Sequence, residues 1–304
     1  MMKKIAIIGS DSFIAGKFIS AYINKYSLKL FARKPSSAMN VILFPDLRDI
    51  KSDDLDGVDV VINFAAIVHQ PNVKDESIYL RVNTELPIHL ATQSRKAGVK
   101  HFIQMSTIAV YGKANSINEN TKENPVNSYG KSKLMADKAL LLMEQDNFKI
   151  SLVRAPMVYG GGLAPGNMQR LIKLALKGFP LPFKGINNKR DFIHVHNLVL
   201  ALSIIINQEI YKVILPTDKN PVSTEQILSI IRKYSSKKVR LIPISGFLLY
   251  FIKNTLPSMY EKLYGNLLVS CTLNDRHYKP KYTIHDGIRE MLIAINKSNT
   301  FVLK

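Results

Sequence analysis

Short apolar runs of strand length alternate with helical patterns through the first two-thirds of the 304 residues. That alternation constrains the fold more than any other feature, because it is the signature of a parallel sheet with crossover helices. Residues 4–8, 28–31, 41–44, 58–64, 101–105 and 150–154 read as strands. Residues 13–26, 84–97 and 128–143 read as helices, the second of them stopped by Gly98. The unbroken apolarity of 150–154 fits a sheet covered on both faces. After Pro156 the pattern changes: Gly160, Gly161, Gly162, Pro165, Gly166, Pro180 and Pro182 interrupt it, as expected of loops packed over the C-terminal edge of the sheet, where ligands of such folds bind.

Several function classes drop out early. No apolar run reaches the roughly 18 to 20 residues of a membrane-spanning helix; the best, 246–252, is interrupted by Lys253 and closed by Pro257. The apolar residues from Phe247 to Tyr264 read instead as the core face of a helix. The start of the chain lacks a secretory cleavage pattern, and the single cysteine, Cys271, excludes an intrachain disulfide and a multi-cysteine metal cluster, so a cytoplasmic setting is expected. The net charge of +19 would suit a polyanion, but the lysines are scattered in ones and twos without aromatic interleaving. A solvated basic surface, with no nucleic acid and no membrane insertion, is the expectation. No metal site is expected either: His69, His194 and His196 lack acid or thiol companions and read as packed or hydrogen-bonded residues.

The first strand leads into Gly9-Ser10-Asp11-Ser12-Phe13-Ile14-Ala15-Gly16, where a dinucleotide fold needs a tight turn and a helix N-terminus facing a pyrophosphate. Gly9 can supply the turn; Ser12 and Ala15 stand where a strict fingerprint has glycines. The second strand ends at Arg33-Lys34, and a cation there suits the 2′-phosphate of NADP, whereas NAD sites place an acid. NADP(H) is therefore favoured and NAD(H) possible. Asp46-Leu47-Arg48 follows the third strand, where a carboxylate could accept from the adenine amino group.

The strongest constellation is Ser106-Thr107 after a buried strand, followed by Tyr129-Gly130-Lys131-Ser132-Lys133 at a helix start. Tyr129 and Lys133, four apart, share a helical face. An ammonium beside a phenol lowers its pKa, so the phenol can shuttle a proton near neutrality, with Thr107 bonded to the same substrate oxygen. Tyr234 and Lys238 repeat the spacing without an upstream strand and hydroxyl, and read as a solvated helix end.

These residues resemble the extended short-chain dehydrogenase/reductase superfamily, in its UDP-glucose 4-epimerase-like branch, over nearly the whole chain. Asn63-Phe64-Ala65-Ala66 looks like the family's cofactor wall after the fourth strand, and Val82-Asn83 like the start of its following helix. Arg154 to Gly160, including Pro156, resembles the strand and loop over the nicotinamide. Arg190 matches a position that contacts the substrate diphosphate, and Asn167 one that offers an amide to the nucleotide sugar. The resemblance implies an α/β, Rossmann-type doubly wound parallel sheet with a smaller C-terminal substrate-binding domain: residues 1–155, with 186–210 returning to it, against 156–185 and 211–304. It also implies a homodimer through the helices around 86–97 and 128–143.

The stretch 177–190 looks most like bacterial enzymes that make 6-deoxy amino sugars, several of which reduce a 4-keto sugar. Reduction of a UDP-4-keto-6-deoxy-N-acetylhexosamine is the first expectation, since Arg33 and the loosened glycine motif favour exchangeable NADPH. A UDP-hexose 4-epimerase with retained NAD is the alternative. Ile108 stands where a dehydratase usually carries an acid beside its threonine. A silent nucleotide-binding protein on the same fold is the remaining possibility.

Overall fold

The structure, a computed structural model, describes residues 2–35, 40–68 and 76–302; His69 lies outside them. The chain begins β1 (Lys4–Ile8), α1 (Phe13–Tyr22), β2 (Ser27–Ala32), β3 (Val41–Leu43) and β4 (Val60–Asn63). Next come α2 (Ser77–Leu80), a π-turn at Arg81–Glu85, α3 (Leu86–Lys96), β5 (His101–Thr107), β6 (Ser116–Ile117), α4 (Ser128–Leu142) and β7 (Lys149–Ala155). β8 (Met157–Tyr159), α5 (Asn167–Ala175), β9 (Pro180–Lys184), β10 (Phe192–His194), α6 (Val195–Gln208) and β11 (Lys212–Ile214) follow. The remainder is α7 (Thr224–Tyr234), β12 (Arg240–Pro243), α8 (Gly246–Thr255), α9 (Pro257–Leu263), β13 (Leu268–Val269) and α10 (Ile284–Val302).

Seven strands form one parallel sheet in the order β11-β7-β5-β4-β1-β2-β3. Strand β1 shows why both faces must be covered. Its side chains alternate, so Ile5 and Ile7 join a core with Phe18 of α1 and Leu202 and Ile206 of α6. Ala6 and Ile8 join the opposite core with Leu90 of α3 and Leu140 of α4. Burying each such large side chain contributes about 1.5–3 kcal/mol, which fixes the register. The strand order reverses between β1 and β4, and the crevice at the C-terminal ends of those strands is where this architecture takes a ligand.

A second core lies outside the sheet. It joins Met168 and Ile172 of α5, Leu181 and Phe183 of β9, Ile227 and Ile231 of α7, and Ile288 and Met291 of α10. The expected boundary at 210 falls short, because β11 pairs with β7 as the edge strand of the main sheet. A three-residue strand between a helix end and a proline carries too little periodicity to be read from the sequence.

Two helical expectations change. The helix expected over 84–97 is present but starts earlier: α2, the π-turn and α3 run on continuously, and the wider π-turn immediately precedes Pro87, which has no N–H to give to the ladder. The stretch 247–264 is not a core-facing helix: it is two helices separated at Leu256, and none of the residues of α8 is buried. Leu249 and Leu263 pack against the second core, but Phe247 is 80% exposed and Tyr250 69%. A helix that is apolar all round cannot reveal which of its faces the fold covers.

Candidate active site

Gly9 follows β1 with φ +75°, and a Cβ there would lie 2.8 Å from the Ala65 backbone nitrogen. Both the left-handed backbone and the close approach require glycine. The turn delivers the chain to Ser12, whose hydroxyl accepts from Ala15 N and caps α1, while Phe13 and Ile14, expected to face a cofactor, do not line the cavity that opens here. Ser10 Oγ is buried without a protein partner beside this turn.

A cavity of about 350 Å³ opens here, lined by Gly9, Ser12, Arg33, Asp46, Leu47, Phe64, Ala65 and Ala66, and also by Asp11, Pro45, Arg48, Arg81, Val82 and Leu86. It combines the residues of the turn before α1, apolar walls and three guanidinium groups, with the orphaned Ser10 hydroxyl in the same turn, and this set fits a dinucleotide. Asp46 is held down to about 2 by its hydrogen bonds from Arg48, whose Nε and Nη2 reach its carboxylate at 3.0 and 2.6 Å. It therefore meets a ligand as a carboxylate already shared with a guanidinium. Arg81 carries no local sequence signal of a role, because nothing in Leu80-Arg81-Val82-Asn83 distinguishes it from any solvent-facing helical cation.

Asn83 takes a different place from the one expected. It is fully buried; its Oδ1 accepts from Ile67 N at 2.9 Å and its Nδ2 donates to Ile67 O and Ser132 Oγ. Its amide ties the loop after β4 to α4, so it shapes the crevice wall through other residues. Pro156 is buried in the one-residue gap between β7 and β8 and does not line the cavity.

Thr107 ends β5 and caps the turn Ile108–Tyr111, its hydroxyl accepting from Ala109 N at 3.2 Å. Asn127 caps α4, its Oδ1 accepting from Gly130 N at 2.8 Å. A Cβ on Gly130 would lie 2.7 Å from Ala109 O, so glycine lets the first turn of α4 seat directly on the β5 turn. That contact brings the Tyr129 phenol close enough to the Thr107 side chain for the hydroxyl to pull its pKa down. Thr107, Tyr129 and Lys133 thus converge at the sheet edge that also holds Gly9 and Ala65.

The electrostatics differ from the expectation. Burial pushes the Tyr129 phenol up to about 12, against the pull of the Thr107 hydroxyl, while burial brings Lys133 down to about 8. The Lys133 ammonium does not lower the phenol here; its Nζ donates to Met105 O at 2.6 Å, and its nearest charge is Asp137, one turn on in α4. Asp137 is fully buried and its Oδ2 accepts from Ser106 Oγ at 2.8 Å and Arg154 Nε at 2.9 Å. Arg154 in turn donates to Tyr111 Oη at 2.7 Å and Glu123 at 3.0 Å. This network behind the three residues has no short-range sequence signature, since its members come from β5, α4, β7 and the loop after β6.

Asn167 starts α5 and is exposed. Arg190 Nη1 donates to the carbonyls of Glu261 and Gly265 at 2.9 and 2.8 Å, so its guanidinium is partly engaged by the end of α9. Neither shares a hydrogen bond with the Thr107 group. His194 is buried, with Nε2 3.0 Å from Glu290, and His196 packs its ring on Tyr282. Tyr234 is the last residue of α7 and Lys238 lies beyond the helix, both exposed, which separates that pair from the α4 pair.

Comparison with known proteins gives the same outline. The profile described as the NAD dependent epimerase/dehydratase family matches residues 7–214. UDP-glucose 4-epimerase of Vibrio cholerae is 28% identical over 321 aligned residues, covering 98% of this chain and 97% of its own. N-acetyl-alpha-D-glucosaminyl-diphospho-ditrans,octacis-undecaprenol 4-epimerase of Escherichia coli O157:H7 is 26% identical, covering 79% of this chain and 74% of its own. Among solved structures, the UDP-glucuronic acid 4-epimerase from Bacillus cereus in complex with NAD has a TM-score of 0.77 at 19% identity, over 97% of this chain and 99% of that one, which is a likeness of fold.

Proposed function

The chain belongs to the NAD-dependent epimerase/dehydratase family, and from that premise we propose that it is a 4-epimerase of a UDP-linked hexose, with Thr107, Tyr129 and Lys133 as its catalytic residues. The observation that carries this reading is the approach of Tyr129, at the start of α4, to Thr107 at the C-terminal end of β5, with Lys133 one turn further along α4. The bound nicotinamide supplies the hydride acceptor and donor at the sugar carbon. Tyr129 takes the C4 hydroxyl proton and returns it, and Thr107 holds the same oxygen. Proton transfer near neutrality needs the phenol drawn down from about 12, and Lys133, whose Nζ is held on Met105 O, would have to turn toward the phenol to do it. The family relatives named as 4-epimerases support this over reduction, the first expectation from the sequence. Ile108 beside Thr107 disfavours dehydration.

A second reading is a 4-keto-sugar reductase using NADPH, and one observation favours it: Arg33, Arg48 and Arg81 line the cavity together, as a 2′-phosphate would suit. In either reading residues 1–155 and 186–214 hold the cofactor while the second core carries the sugar, with Asn167 and Arg190 facing the nucleotide diphosphate. A homodimer through α3 and α4 would cover Met135 and Leu142, both exposed on α4.

The experiment incubates the protein with UDP-glucose, UDP-galactose and UDP-N-acetylglucosamine, and in parallel follows NADPH and NADH absorbance with UDP-4-keto-6-deoxy-N-acetylglucosamine. Interconversion without net cofactor turnover supports the epimerase. Stoichiometric NADPH oxidation replaces it with the reductase, and silence in every arm leaves a nucleotide-binding protein.

A further inference from the structure

Helix α8, Gly-Phe-Leu-Leu-Tyr-Phe-Ile-Lys-Asn-Thr, is apolar on every side over its first seven residues. Such a helix is stable only when both sides have an apolar neighbour. The fold supplies one: Leu249, with Tyr260 and Leu263 of α9, packs on the second core. The other side carries Phe247, Tyr250 and Phe251, spaced three and four apart on one helical face, and all are exposed. Leu248 beside them, and Leu256 and Met259 at the break between α8 and α9, extend the exposed apolar surface. No described segment covers it.

The charge around this surface selects the occupant. From Gln226 to Tyr260 the chain has six lysines and arginines, Arg232, Lys233, Lys237, Lys238, Arg240 and Lys253, and no aspartate or glutamate. From residue 147 to residue 190, the stretch that supplies α5 and β9 to the same lobe, it again has no acid. Lys177, Lys184, Lys237, Lys238, Arg240 and Lys253 are exposed. Arg240 and Pro243 of β12 pair with Pro180 and Lys184 of β9, which brings the two acid-free stretches side by side next to α8. Glu225 and Glu261 flank the first stretch, which with them still carries six cations to two acids, and an apolar aromatic face set among such an excess of cations is complementary to an apolar layer capped by anions. A second copy of the chain would instead bring its own cations to the rim.

We propose that the α8–α9 face docks on an anionic lipid bilayer, with Phe247, Tyr250 and Phe251 at the level of the headgroups and the surrounding lysines and arginines on the lipid phosphates. The helix does not cross the bilayer: no helix among the described residues is long and apolar enough to do so. This docking is independent of the sugar chemistry, and its test does not use the proposed substrate.

The chain contains no tryptophan, so Phe247→Trp installs a single fluorescent reporter on the face. It is titrated with vesicles of phosphatidylglycerol and phosphatidylcholine, and with phosphatidylcholine alone, in 50 and 300 mM salt, alongside vesicle flotation of the natural sequence and of the Phe247→Ser/Phe251→Ser double variant. The expected result is a blue shift and flotation with anionic vesicles, at least tenfold weaker for the double variant, weaker on phosphatidylcholine and weaker in high salt. An unchanged emission maximum overturns the proposal, as does flotation equal for the natural and double-variant proteins, which would trace binding to the +19 charge alone. So does a natural chain that stays off anionic vesicles while ultracentrifugation shows a dimer that the double variant loses, which would make a second copy the occupant. Nicotinamide cofactor binding, measured by calorimetry, verifies that the double variant is folded.

Discussion

Strand β5 and helix α8 are both segments whose apolar content calls for burial, and they end in opposite environments. In β5 every residue from His101 to Ser106 is buried, because α3 and α4 cover one face of the sheet and α1 and α6 the other. In α8 no residue is buried. Apolar content states that a segment needs cover; topology decides how much the chain provides. The contrast also separates two uses of burial. At the β5 edge, burial raises Tyr129 to about 12 and lowers Lys133 to about 8, so low dielectric there disfavours the charged form of both groups. At α8, exposure leaves contact surface to spare.

The largest effect expected on the β5 side is chemical. Tyr129→Phe removes the phenol hydroxyl beside Thr107 and is expected to lower kcat by about 10²–10⁴ while leaving KM within about threefold. Because the ring is kept, the unfolding midpoint should hardly move. A variant that keeps a tenth or more of natural kcat would remove Tyr129 from the proposed chemistry. On the packing side, Phe102→Ala empties a fully buried site in β5 and is expected to cost about 3–5 kcal/mol in urea unfolding. A loss below about 1 kcal/mol would mean that the sheet core is loose, and the contrast with α8 would weaken.

Those two expectations rest on features the sequence displays locally. The period-two pattern of β1, the glycine after it and the four-residue spacing of Tyr129 and Lys133 are encoded within one element each, so the sheet and the three central residues were legible. Asp137, Arg154 and Glu123 were not, because their pairing joins residues 17 and 31 positions apart through a buried contact with no periodic signature. The direction of the Tyr129 shift is hidden from the sequence for a related reason: spacing places Lys133 on the same helical face, but only the fold shows its Nζ turned to Met105 O. For α8, periodicity failed because an all-apolar segment has no polar side to orient it.

Lys133→Met probes the same burial by pH. The ammonium has an ordinary pKa of 10.5 and about 8 in the folded protein, so between those values the unfolded chain holds the extra proton and stability rises with pH. Below about pH 8 the full penalty is present, on the order of 3 kcal/mol net of the Asp137 attraction. The variant should therefore lose its activity yet show a flatter stability profile than the natural protein across that window. Urea unfolding at pH 7.5, 9 and 10.5 measures the difference; parallel profiles would mean that Lys133 is solvated in solution.

The smallest expected effect lies on α8. Phe247→Ala removes an aromatic side chain, like Phe102→Ala, but from a position 80% exposed, so little area is withdrawn from solvent on folding. In vesicle-free buffer the change in unfolding free energy is expected to stay within about 0.5 kcal/mol. Replacing a solvent-facing ring also removes apolar surface that favours self-association, so the variant should remain monodisperse to higher concentration than the natural protein. A cost of 2 kcal/mol or more, measured by urea unfolding at low protein concentration, would show that Phe247 is packed in solution. The distinction between a helix covered on one side and a strand covered on both would then fail at the residue where it is drawn most sharply.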